Sequence, residues 1–217
     1  DVSKGEGRTV LFVSHNMDSL RKLCTKGLVL KQGAIHYSGD IVSSINHYLE
    51  AYFDKQQTSW VKKDNKKDAP EITFTGMQLL DGNLQPVSTE VFSNTDKLFL
   101  QIRFDCHEIA SNITIGYWLF NDAGVPLYQS EQSDADAQIN RRMTLGDNSL
   151  IAEVNIAILK TGKYRLALSS SVKNVKWIVS PTQEVERILS FDIVNESVSC
   201  AREVMIAPSI QWNLKKQ

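Results

Sequence analysis

Three sets of residues have types and spacing that could do chemistry. The first is Ser14-His15-Asn16, which closes the apolar run Thr9–Val13 and opens an amphipathic stretch. A histidine at a strand end is ordinarily a satisfied structural residue. Here a buried strand passing into a helix N-terminus puts an imidazole where open α/β sheets bind ligands, beyond the carboxyl ends of the strands. The second set centres on Trp118 in "NITIGYWLF" (112–120). Ile113, Ile115, Tyr117 and Leu119 share one face of that strand, and Thr114, Gly116, Trp118 and Phe120 share the other. Period two leaves open which face is inward. If the more aliphatic face is core, Trp118 points out beside Gly116, which leaves room for a ring. Gln101, Arg103 and Arg165 are then expected as outward neighbours on adjacent strands. An aromatic plate beside planar groups that donate and accept in pairs suits a sugar, with its C–H face and hydroxyl rim. The bland alternative is that Trp118 is core and the arginines are solvated. The third set, Glu131, Asp134, Asp136 and Glu153, could do acid–base work on a glycan. Such hydrolysis needs two opposed carboxylates about 5–9 Å apart, and no local context here implies a raised pKa.

Composition excludes several classes. Lys and Arg number 24 against 25 Asp and Glu, a net charge of −1, so no global field favours nucleic acid or an anionic membrane. No apolar run approaches the ~20 residues of a membrane helix, and the opening "DVSKGEG" is polar, unlike a signal peptide. Cys24, Cys106 and Cys200 are odd in number and far apart, and His36, His47 and His107 have no ligand-like spacing with them. A reduced, cytoplasmic protein without a resident metal is expected. The missing initiator Met marks the chain as an expected fragment.

Two grammars follow one another. Residues 9–54 read as α/β: the apolar run, a helix capped by Asn16 and ending before Gly27, two short strands about Gln32-Gly33, and a helix 41–53 capped by Asp40. The opening strand has the continuous apolar character of one buried on both faces, so its sheet is expected upstream. Residues 55–70, with Lys55, Lys62, Lys63, Lys66 and Lys67, read as a solvated linker. From Glu71 the period becomes two. About eight strands, with turn signals such as Asp81-Gly82 and Thr161-Gly162, predict a mainly β fold: an antiparallel Ig-like or jelly-roll sandwich over 71–217. The polar stretch 129–149 is expected as a long loop. Trp177 and Asn174 near a turn, and Arg141 and Arg142 in that loop, are lesser ligand candidates.

"GRTVLFVSHNMDSLRKLCTKGLVLKQGAIHYSGD" resembles the end of an ABC-transporter nucleotide-binding domain. The resemblance implies that His15 is the switch histidine that contacts the γ-phosphate of ATP. No GxxxxGK[ST] loop, LSGGQ signature or Walker B carboxylate accompanies it, so this fragment is expected not to hydrolyse ATP by itself. ATP and Mg²⁺ are implied only for a full-length subunit. The succession of ATPase tail, helix, linker and sandwich resembles the Wzt-type subunits of polysaccharide export. "NITIGYWLFNDAGVPLY", "LKTGKYRLAL" and "APSIQW" resemble segments of their C-terminal sandwich, with Thr161 and Ala207-Pro208 as departures from its pattern. That family implies recognition of a finished glycan such as an O antigen before export, and the strand-face reading above makes Trp118, Arg103, Gln101 and Arg165 the expected binding residues. It also implies a transmembrane permease partner, residence at the inner face of the inner membrane, and a homodimer in which terminal strands can be exchanged; for the strand around Trp212, such exchange and a last edge strand folded back on its own sheet are equal alternatives. The competing expectation is a dimerisation or docking scaffold without affinity for glycan.

Overall fold

The computed structural model describes residues 9–14, 17–31, 33–53, 57–109, 112–134, 139–182, 186–194 and 206. The chain falls into two compact units, Asp1–Asp54 and Lys55–Gln217. No helix among the described residues is long and apolar enough to cross a membrane.

In the first unit, helix α1 (Met17–Leu23) precedes an antiparallel hairpin, β1 (Lys26–Lys31) and β2 (Ala34–Asp40), and helix α2 (Ile41–Phe53) follows. Asp40 caps α2 as expected: its Oδ1 accepts the Ser43 N–H at 2.9 Å, and hydrogen bonds from Ser43 hold its carboxyl below the ordinary value. Gly27 has a different duty from the expected helix stop. It lies inside β1, four residues past the end of α1, where a Cβ would sit 2.6 Å from Cβ of Ser44 on α2. The Ser44 hydroxyl donates toward the carbonyls of Asp40 (2.7 Å) and Gly27 (3.1 Å), closing α2 onto the hairpin. The run 9–13 pairs with no strand among the described residues, and Val10, Leu11 and Val13 are more than 60% exposed. An apolar run becomes a strand only when a neighbour takes up its backbone groups.

The second unit is a two-sheet sandwich. One sheet has the order β3-β4-β6-β9, from strands Ser59–Val61, Ile72–Leu80, Leu98–Cys106 and Gly146–Val154. The other has the order β5-β12-β10-β7-β8, from Val91–Ser93, Ile188–Val194, Gly162–Val172, Ile113–Asn121 and Pro126–Glu131; β11 (Lys176–Val179) extends it beside the end of β10. Inward residues of both sheets, among them Phe74, Leu100, Phe104, Tyr117, Leu119, Leu166 and Phe191, form one core. The pairing is antiparallel except for β5, which runs parallel to β12. Four elements were not expected: β3, β5, β8 and β11. The stretch 129–149 is also not one loop, since β8 runs to Glu131, a 3-10 turn spans Ile139–Arg142 and β9 begins at Gly146.

The expected linker is part of the sandwich. Trp60 pairs with Met77 in the β3–β4 ladder, and Gln57 exchanges hydrogen bonds of 2.9 Å with Ser190 of β12. This segment therefore joins both sheets along one side. Asp68, its side chain only 7% exposed, is the anchor. Its Oδ1 accepts from Lys62 Nζ at 3.0 Å and from Arg187, and its Oδ2 accepts the Phe74 N–H at 2.7 Å. Arg187 lies over the Trp60 ring, 5.3 Å from its centroid. A charge run reads as solvated only until one lysine finds a buried carboxylate.

Burial by itself would raise the Asp68 pKa, but the bonds from Arg187, Phe74 and Lys62 outweigh it and hold the carboxyl below its ordinary value. A depressed folded-state pKa stabilises the fold above the unfolded value near ~4, and the contribution is lost as pH falls through the folded value. Asp68→Ala should cost on the order of 3 kcal/mol in chemical denaturation at pH 7, because it leaves Arg187 and Lys62 without their buried anion. Asp68→Asn should flatten the loss of stability below pH 4 relative to wild type.

Candidate functional site

β7 turns Ile113, Ile115, Tyr117 and Leu119 into the core, so the aliphatic face is the inner one. Trp118 and Phe120 lie half-buried on the outer face of the six-stranded sheet, their rings 24° from parallel with centroids 6.0 Å apart. Two residues apart on one strand, they form a continuous aromatic surface. The ladder places Ala167 of β10 directly beside Trp118 on one side and Gln129 of β8 on the other. Ala167 is in turn paired with Ile188 of β12. The row Ile188–Ala167–Trp118–Gln129 thus crosses four strands and ends on an exposed amide.

Arg165 pairs with Phe120 and shares this face, as expected. It is only 9% exposed, and its Nη2 donates to the Asp122 carbonyl at 2.9 Å, bracing the β7–β8 turn. Gln101 and Arg103 are not its neighbours, and that expectation is corrected. They lie on β6, in the other sheet, and point out of the opposite side of the sandwich. There Gln101 donates to Ser149 Oγ at 3.0 Å, and the Arg103 guanidinium lies against Gly76, within 2.8 Å of where a Cβ would be. Adjacency along the chain does not report adjacency in a sheet when consecutive strands switch sheets.

Gly116 leaves no room for a ring either. A Cβ there would stand 2.1 Å from the Ser130 carbonyl oxygen, so the missing side chain admits the backbone of β8. Gln132 then continues β8 past its last strand residue: its side chain accepts the Ile115 N–H at 2.6 Å and donates to the Ile113 carbonyl at 2.8 Å. Gln129 owes its position to this close approach. Nothing in its own context singled it out, although the alternation of "PLYQSE" could have marked it as a strand residue.

The other candidates fall elsewhere. Asn174 has φ +61° in the β10–β11 turn, a conformation asparagine tolerates better than most residues. Trp177 on β11 is 55% exposed and pairs with Ser171, four residues along the ladder from the Trp118 row. His107 Nε2 and Thr73 Oγ1 are 2.9 Å apart beside the other sheet. Asp134 Oδ2 caps its own turn, accepting from Ser130 Oγ and the Glu131 N–H at 2.9 Å each. Behind the aromatic surface, burial and then the neighbouring Tyr128 push the Tyr117 phenol far up, and burial raises Tyr128 as well. Tyr117 donates to the Glu153 carbonyl at 3.1 Å, a structural link between sheets. Arg142 is exposed. His15, Asp136, the Arg141 side chain and Trp212 lie outside the described residues.

No protein-family model matches the sequence. Curated proteins do. The teichoic acids export ATP-binding protein TagH of Bacillus cereus is 28% identical over 95 residues, 44% of this chain and 16% of that protein. TagH of Bacillus anthracis is 35% identical over 66 residues, 30% of this chain and 12% of that protein. The chain is similar to ATP-binding proteins of teichoic acid export. It spans less than a fifth of their length. Among solved structures, the C-terminal domain of Wzt aligns with 76% of this chain and 96% of its own, at 10% identity and a TM-score of 0.48.

Gly116→Ala should be costly out of proportion to its size. The added methyl meets main chain, not a movable side-chain tip, and should destabilise the sandwich by about 1–3 kcal/mol in denaturant titration. It should also raise hydrogen exchange selectively along β8.

Proposed function

We propose that this chain is part of an ATP-binding subunit of an ABC exporter of a cell-surface polysaccharide, and that its sandwich binds the polymer before export. The similarity to TagH supports the exporter reading. The paired Trp118 and Phe120 rings, with the Gln129 amide directly across from Trp118, support the glycan reading. Successive sugars of an extended polymer offer C–H faces to the two rings, and Gln129 offers a donor and an acceptor to the hydroxyl rim. Arg165 acts as a positioning residue through the Asp122 turn. Gln101 and Arg103, on the far side, are outside this site.

Such a subunit works at the cytoplasmic face of the membrane with a transmembrane permease, as one of two copies, and uses ATP and Mg²⁺. The residues of this chain do not by themselves fit that nucleotide. The sequence has no GxxxxGK[ST] loop, and among the described residues no three His, Cys, Asp or Glu side chains are grouped to hold a cation. No step of phosphoryl transfer is assigned to them, and the sandwich binds its cargo without changing it.

Calorimetric titration of the full chain with the host's own surface polysaccharide should give a binding isotherm. Trp118→Ala should weaken it about tenfold, the equivalent of an aromatic contact of ~1–1.5 kcal/mol. Gln101→Ala on the opposite face should leave it within twofold. Absence of heat with the wild-type chain would favour a scaffold that assembles subunits without touching glycan.

A further inference from the structure

The end of the sandwich at which β4 and β7 begin carries side chains that neither the core nor the aromatic surface uses. Ile72, Cys106 and Gly146 are ladder partners there in the four-stranded sheet, and Ile113, Val172 and Lys176 in the other. The 107–112 connection crosses between the sheets at this end. Three connections turn large apolar side chains to solvent: Ile109 on the crossover, Leu145 at the entry to β9, and Val175 and Trp177 around the β10–β11 turn. Each is more than half exposed. A single exposed apolar residue is ordinary, but four at one end of a sandwich mark a contact surface.

Hydrogen bonds fix these tips in place. The His107 and Glu108 N–H groups both donate to the Glu71 carbonyl, at 2.7 and 3.2 Å. The Asn148 side chain accepts the Thr144 N–H at 3.1 Å and donates to the Thr144 and Gly146 carbonyls at 2.6 and 2.8 Å, which shapes the chain around Leu145. The Lys173 N–H donates to the Asn112 carbonyl at 2.8 Å, tying the β10–β11 turn to the crossover.

Charge narrows the choice of partner. β3 runs antiparallel to β4, so the 62–71 segment that follows it lies at this same end. Its Lys63, Lys66 and Lys67 are exposed, as are Arg142 before Leu145 and Lys173 and Lys176 around Val175. The exposed carboxylates there, among the described residues, are Asp64, Glu108 and Asp147, and Asp64 already lies 3.3 Å from Lys62. Glu71 and Asp105 are half-buried. A chain whose charges nearly cancel as a whole thus has a basic end.

We propose that this end rests on an anionic lipid surface. Ile109, Leu145, Val175 and Trp177 enter the headgroup layer, and the cations around them face the lipid phosphates. The tips belong to separate connections and share no strand edge that would give a protein partner a register. A lipid interface makes no such demand. It takes scattered apolar tips, favours tryptophan at headgroup depth, and lets lysine stems extend to the phosphates. The inference does not depend on the glycan reading.

Flotation of the full chain with vesicles of phosphatidylcholine containing about one-third phosphatidylglycerol tests it. The wild-type chain should float with these vesicles at low salt, and much less with phosphatidylcholine alone. Val175→Ser with Trp177→Ala, and separately Lys173→Gln with Lys176→Gln, should each weaken binding roughly tenfold while keeping the wild-type circular dichroism. Leu145→Ser, on a different connection, should also weaken it, and serves if either pair fails to fold. Ile151→Ser, an exposed apolar residue on β9 away from this end, should leave binding unchanged. Lipids brominated near the headgroup should quench tryptophan fluorescence in wild type, and much less in Trp177→Phe. The inference is overturned if the wild-type chain does not float, or if neutral vesicles bind it equally well. It is also overturned if the folded variants at this end float like wild type, which would assign lipid contact to exposed residues of the first unit such as Leu11 and Val13. Failure to float would leave this end to an acidic protein surface.

Discussion

The second unit depends on one buried carboxylate. Asp68 collects a lysine from six residues before it, a main-chain N–H from β4 and an arginine 119 residues later. An isolated charge at that depth would be prohibitive, but one surrounded by three donors is not, and each donor fixes a different stretch of chain. The result is that a three-residue strand and a polar loop are held along the side of the sandwich. Arg187 also leads directly into Ile188, the first residue of β12 and the end of the row that crosses Trp118. The anchor and the aromatic surface are thus linked through one strand.

The aromatic surface has its own geometric condition at Gly116. Strand β8 can lie close to β7 only because no side chain stands in the way of the Ser130 carbonyl, and the same approach brings Gln129 opposite Trp118. Arg165 closes the neighbouring turn by donating to Asp122. Its burial removes it from the set of groups free to meet a ligand, although it lies on the correct face. The residue that makes the platform polar is therefore a glutamine without any motif around it, and the residue that makes it possible is a glycine.

Much of the architecture was legible. Alternation along 98–106, 113–120 and 163–171 corresponds to real strands because burying one face of a pleated ladder imposes period two on the residues. Asp40 was legible as a cap, and helix 41–53 from its spacing, because both signals act within a few residues. The missed strands were short and lacked a pattern of their own: β3 and β5 exist by pairing with longer neighbours. The lysine-rich stretch misled for a related reason, since the partner that buries Asp68 is supplied by Arg187, far along the chain.

By itself the sequence determined the change from helical to alternating pattern near residue 70 and which residues of β7 share a face, whereas the structure decided that the aliphatic face is inward and Trp118 outward. The two features that the sequence determined are local, because they follow from which side of a helix or strand a residue occupies. Only the tertiary structure decided which strands share a sheet. It separated Gln101 and Arg103 from Trp118, put Gln129 in their place, and folded the supposed linker into the core's margin. Sheet membership depends on where each strand finds hydrogen-bonding neighbours and a core to cover, and those partners lie tens of residues away, beyond the reach of any local pattern.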